Sequence, residues 1–133
     1  MDRSRLKKIE RILSVQEKLH RIAEWNLART EREKSELKKT EVEIVAALNE
    51  DAALQGLFVD AMARRLKKLA VEAERIERRR EEEARILREE GLRLKRTERM
   101  TGRLRRQARD DEGKRGFADL VDTLVKNVDA SLP

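Results

Sequence analysis

The chain has 133 residues, of which 45% are charged: 33 Lys or Arg against 27 Asp or Glu, for a net charge of +6. Globular domains are about a quarter charged, so this chain cannot enclose a broad layered core, and the choice narrows to long, partner-dependent helices or a disordered polyelectrolyte. Ala, Leu, Glu, Lys and Arg dominate where disordered chains carry Pro, Gly and Ser, and that decides for helices.

The opening Met1-Asp2-Arg3-Ser4-Arg5 lacks the apolar run of a secretion signal. No apolar stretch approaches the roughly 18 residues of a membrane span, so the expectation is a cytoplasmic protein with no stable membrane insertion. Apolar residues at Leu6, Ile9, Ile12, Leu13, Val15, Leu19, Ile22, Ala23 and Leu27 follow steps of three and four, the helical period. With Leu37, Val42, Ile44, Val45 and Leu48 they predict a first helix over 4–48.

A turn is predicted at 49–53, where Asn49 can end one helix and Asp51 can cap the next. A second stripe follows from Leu54 through Leu57, Phe58, Met62, Leu66, Leu69, Ala73, Ile76, Ala84 and Leu87 to Leu94, and predicts a helix over 54–111. Gly91 and Gly102 weaken it locally, by about 1 kcal/mol each relative to Ala. Gly113 and Gly116 predict a break, and 113–133 reads as a short amphipathic segment carrying Phe117, Leu120, Val121, Leu124, Val125 and Val128.

The fold class expected is therefore all-α: an antiparallel two-helix coiled-coil hairpin over 1–112 with a short helical extension, a parallel dimer of long helices being the runner-up. In the hairpin residue i faces roughly residue 102 − i. Leu48 then meets Leu54, Ile44 meets Phe58, and Leu6 lies near Leu94. Residues 101–133 would extend past the first helix without an intramolecular partner.

The charge excess is confined. Residues 93–106 hold seven basic side chains, Arg93, Lys95, Arg96, Arg99, Arg103, Arg105 and Arg106, against Glu98 alone. The stretch from Glu72 to Arg85 instead interleaves its signs, allowing i,i+4 pairs that keep an exposed helix straight.

Chemistry for catalysis is sparse. His20 is the single histidine and there is no cysteine, so one chain cannot assemble a His–Asp–Ser set or a zinc site. No Gly-rich loop precedes a helix to cradle a phosphate. The reading is a binding protein and not an enzyme, with no cofactor, no metal and no small-molecule substrate. The basic segment has no aromatic platform for single strands, but a basic helix can grip duplex phosphates, which keeps nucleic-acid binding open as an alternative.

Leu6-Lys-Lys-Ile-Glu-Arg-Ile-Leu, then Glu17, Ala23 and Leu27-Ala28, resembles the first helix of the FliJ/YscO family, the coiled-coil stalk proteins of flagellar and virulence type III export ATPases. The run Lys95-Arg-Thr-Glu-Arg-Met, with Arg105-Arg-Gln-Ala-Arg-Asp-Asp-Glu-Gly-Lys after it, is similar to that family's second-helix ending. The resemblance implies a stalk that binds the hexameric ATPase and links it to the export gate protein, in the cytoplasm at the base of a membrane export machine. It assigns the ring contact to the seven basic residues of 93–106, and the gate contact to Leu37, Thr40, Ile44, Phe58, Met62 and Arg65. An unrelated coiled-coil scaffold or adaptor is the other reading of the same residues.

A last expectation concerns Trp25. It projects off the first-helix stripe, whose centre is expected near Ile12 and Leu19, so the apolar arc is wider than a two-stranded seam needs. Phe117, Leu120 and Leu124 could cover it by folding back through Gly113 and Gly116; a ring subunit or a second protomer is the alternative cover.

Overall fold

The computed structural model describes residues 2–50 and 56–131. The fold is all-α: two long helices, α1 (Asp2–Glu50) and α2 (Gly56–Ser131), packed against each other as a hairpin. Strong helix formers and the absence of internal proline account for their length. Asn49 and Glu50, expected in the turn, still belong to α1. The expected cap Asp51 and helix start Leu54 lie outside the described residues.

The helices divide into two compact units, one of Lys18–Gly91 and one of Met1–Glu17 with Leu92–Pro133. In the Lys18–Gly91 unit, α1 turns His20, Ala23, Leu27, Thr30, Leu37, Thr40 and Ile44 inward, and α2 answers with Met62, Leu66, Leu69, Ala73, Ile76, Arg80, Glu83 and Leu87. On α2 those steps alternate strictly between four and three, the spacing of a coiled-coil seam. Ala23, Ile44 and Ile76 are its buried apolar side chains among the described residues, and fully buried Thr30 interrupts them.

Polar pairs set the alignment there. The Thr30 hydroxyl donates to Glu83 Oε2 at 2.6 Å, Lys34 Nζ meets Glu77 Oε2 at 2.9 Å, and Arg79 reaches across to Glu33. The 102 − i expectation put Thr30 level with Glu72, so the observed alignment is shifted by roughly three helical turns. Three whole turns return a helix to almost the same azimuth, so the apolar stripe alone does not choose between these alignments. The Thr30, Glu33 and Lys34 partners do.

The other unit is shifted in the same direction. Arg3 pairs with Glu112 at 2.7 Å and Arg105 with Glu10 at 3.2 Å, so Leu6 lies level with the stretch between Arg105 and Glu112 and not with Leu94. The basic segment is therefore not an unpaired overhang; α2 has α1 beside it as far as Glu112. Leu94, Thr97, Thr101, Leu104, Ala108 and Asp111 form the inward line of α2, with Thr97 and Thr101 buried. The Thr101 hydroxyl is satisfied by the Thr97 carbonyl at 2.7 Å, which lets a polar side chain occupy a seam position without an orphaned group.

Two further expectations change. The inward line of α1 runs one residue later than expected, through Leu13, Gln16, His20 and Ala23, leaving Ile12 and Leu19 about half exposed. A wide apolar arc hides its own centre, because neighbouring columns are equally apolar. The break expected at Gly113 and Gly116 is absent, and α2 continues to Ser131. Isolated glycines cost a helix only about 1 kcal/mol each, too little to end it among good formers.

Candidate functional site

About 100° separates successive residues on a helix. On that wheel Arg99, Arg103 and Arg106 stand nearly opposite the seam positions Thr97 and Thr101. These three arginines and Arg109 line a shallow groove around Gly102. No other atom approaches within 4 Å of where a Cβ at Gly102 would stand, so the groove floor is open backbone surface. The seam explains the placement: with Leu94, Thr97, Thr101 and Leu104 turned toward α1, the intervening arginines must face solvent.

The seven basic residues expected to act together do not share one face. All seven are exposed, but Arg105 is engaged with Glu10, and at 100° per residue Arg93 stands about 120° around the helix from Arg99. Arg109 was missed by the sequence reading, which ended the basic segment at Arg106. The signal was present: Arg99, Arg103, Arg106 and Arg109 step by four, three and three, keeping one side of the helix.

The gate set is dispersed by burial. Ile44 is only 5% exposed and belongs to the seam, which removes it as a contact residue. Leu37, Thr40 and Met62 are half-buried, and Thr40 spends its hydroxyl on the Glu36 carbonyl at 3.2 Å. Phe58, expected to meet Ile44 across the hairpin, is 36% exposed, and Arg65 is exposed. Trp25 is 56% exposed and carries the Arg29 guanidinium 5.4 Å from its ring centroid. Phe117, Leu120 and Leu124 all face solvent.

Ion pairs elsewhere are structural. Arg78 with Glu74 and Arg85 with Glu82 and Glu89 lie three or four residues apart along exposed α2, as the interleaved signs of that stretch predict. Glu77 is the most strongly perturbed carboxylate: the Arg80 guanidinium, then Lys34 across the seam, hold it down to about 2. His20 sits half-buried with Nδ1 2.7 Å from Glu24, while its Nε2 side overlies Gly91. Among the described residues no three His, Asp or Glu side chains gather as a metal site, and no helix is long and apolar enough to cross a membrane.

No protein-family profile, curated protein or solved structure matches this chain.

Proposed function

We propose that the chain is a non-catalytic stalk of a type III protein export apparatus, flagellar or virulence, which engages the hexameric export ATPase and links it to the export gate. One observation carries this reading: the exposed Arg99, Arg103, Arg106 and Arg109 lie together on one side of α2, turned away from the seam with α1. Arginines grouped on one helical face attract and orient acidic loops during encounter. Guanidinium groups, unlike ammonium, pair with carboxylates in a bidentate fork. The two-helix hairpin and the resemblance in Leu6–Leu13 and Lys95–Met100 add the stalk role. The gate contact then falls to Leu37, Thr40, Phe58, Met62 and Arg65, without Ile44.

The test is charge reversal. Arg99→Glu, Arg103→Glu and Arg106→Glu together should weaken binding to a purified export ATPase and remove any stimulation of its turnover, with the circular dichroism of the chain unchanged. Wild-type binding and stimulation by the triple variant would remove the arginine face from the mechanism. The adaptor reading expects no ATPase partner at all, and affinity capture with native lysate separates the two.

A further inference from the structure

The arginine face does not end at Arg109. Gly113 follows it on the same side of α2, and then Phe117, Leu120 and Leu124, all within about 60° of the azimuth of Arg106 at 100° per residue. A second shallow groove joins the halves, lined by Arg109, Asp110, Gly113, Lys114 and Phe117. Arg109 lines both grooves, so this side of α2 is one surface with a basic half and an apolar half. Phe117 is 69% exposed. The seam does not extend to cover it: carried on in steps of three and four from Asp111, the inward line would run through Arg115, Ala118 and Asp122, which are not a coiled-coil core.

The geometry points to a single occupant of this surface: an amphipathic helix of another protein, with carboxylates along one half and aliphatic side chains along the other. Charge complementarity selects the carboxylates, because the basic half presents four arginines with Asp110 as the one acid lining either groove. Helix-in-groove recognition at i, i+3, i+4 and i+7 selects the aliphatic half. Gly102 and Gly113 lie nearly in line, and a Cβ at either would meet nothing within 4 Å, which gives an incoming helix two points of close approach.

The surface does not suit the other basic-plus-apolar target, an anionic bilayer. Interfacial helices flank their apolar face with Lys and Arg. Here the arginines lie in line with the apolar face, and the polar side of the apolar half carries Asp119, Asp122 and Asp129 against Lys126. Anionic headgroups would be repelled at the position where the tail would have to insert.

This inference rests on the arginine face used above and deepens it, since it adds the apolar half to the same contact. The probe is a fluorescent synthetic helix of about 30 residues, which at 1.5 Å per residue spans the surface. It carries Glu at i, i+3, i+4 and i+7 in one half and Leu at those positions in the other, and is made in both chain orders. Titrated with the full chain, at least one order should bind about tenfold or more tighter than peptides holding either half alone. Phe117→Ala with Leu120→Ala and Leu124→Ala should remove that gain at every salt concentration. The Arg99, Arg103 and Arg106 reversal should remove it together with most of the salt dependence. All six positions are exposed, so unchanged helicity confirms that each variant is folded.

A two-half peptide that binds no better than its acidic half overturns the composite surface. So does tighter binding of the chain to vesicles of equimolar phosphatidylcholine and phosphatidylglycerol than to the peptide. An ATPase interaction lost with the arginine reversal but indifferent to the three tail alanines overturns the composite surface and leaves the ring reading standing. Peptide binding that needs both halves, in a chain that ignores the ATPase, overturns the ring reading alone.

Discussion

The Thr30 hydroxyl lies 2.6 Å from Glu83 Oε2, and Thr30 is itself only 1% exposed. A buried donor aimed at a carboxylate ties α1 to α2 at one alignment, which an apolar side chain at the same position would not specify. Thr30→Val keeps the volume and leaves the carboxylate without this donor. The expected loss is about 1–3 kcal/mol, read from the urea midpoint. Gln keeps a carbonyl oxygen that can accept from the Thr30 hydroxyl, and the ion pair with Arg79 that it gives up is long, at 3.9 Å, and partly exposed, so Glu83→Gln should cost less than Thr30→Val. Equal midpoints for wild type and Thr30→Val would show that the hydroxyl does not hold the alignment.

Glu77 gives the hairpin a pH dependence with a definite sign. Its carboxyl titrates from an ordinary value of 4.5 down to about 2 in the folded chain, first through Arg80 and then through Lys34 on the other helix. A depressed folded pKa means that the unfolded chain takes up the proton first. The stabilisation is therefore complete above about 4.5 and disappears as the pH falls toward about 2. Thermal midpoints followed over that window should fall more steeply for wild type than for Glu77→Gln. Parallel curves would remove Glu77 as the source.

Gly91 lies under the His20 ring, and an added Cβ would stand 3.7 Å from Nε2, an ordinary contact distance. Gly91→Ala should therefore raise stability by up to about 1 kcal/mol through helix propensity. Gly91→Leu should lower it, because the longer side chain must displace the imidazole. Calorimetric melting of the two variants checks this; two shifts of the same sign would mean that His20 does not pack there.

Gly113 and Gly116 lie inside a continuous helix, with nothing within 4 Å of a Cβ at either. Alanine at both should slow amide hydrogen exchange over the stretch from Gly113 to Leu120 and increase helical ellipticity. Unchanged exchange and ellipticity would mean that the two glycines do not limit the helix in this stretch.

The period of three and four made the two helices legible, because Ala, Leu, Glu, Lys and Arg agree with the helical state along nearly the whole chain. Alignment was not legible. A repeated stripe looks the same after whole turns, and the deciding contacts of Thr30, Glu33 and Lys34 are made by polar residues that read as surface. Gly113 and Gly116 were over-read as a break, since the cost of a glycine is small beside the cooperativity of the flanking helix. The basic cluster was visible from composition, but its division between Arg105, which pairs with Glu10, and Arg99, Arg103 and Arg106, which face away, needed the azimuth of the seam. Ile44 shows the limit of apolarity as a guide to function: a large aliphatic side chain on a thin hairpin is as easily core as contact.

The pairings along the hairpin differ widely in the length of chain they close: Glu33 with Arg79 closes 46 residues, Arg3 with Glu112 closes 109. Closure entropy grows only with the logarithm of loop length, and once an inner pairing is made the next one outward has only the residues between the two left to order. Assembly of such a seam can therefore proceed as a zipper from the turn side, each rung lowering the cost of its neighbour. Melting runs the other way, starting where the rungs are solvent-exposed ion pairs such as Arg3 with Glu112, whose individual contributions are small. A partner that gripped both helices beside that last rung would act as a clasp, converting a graded, fraying ladder into an all-or-none one.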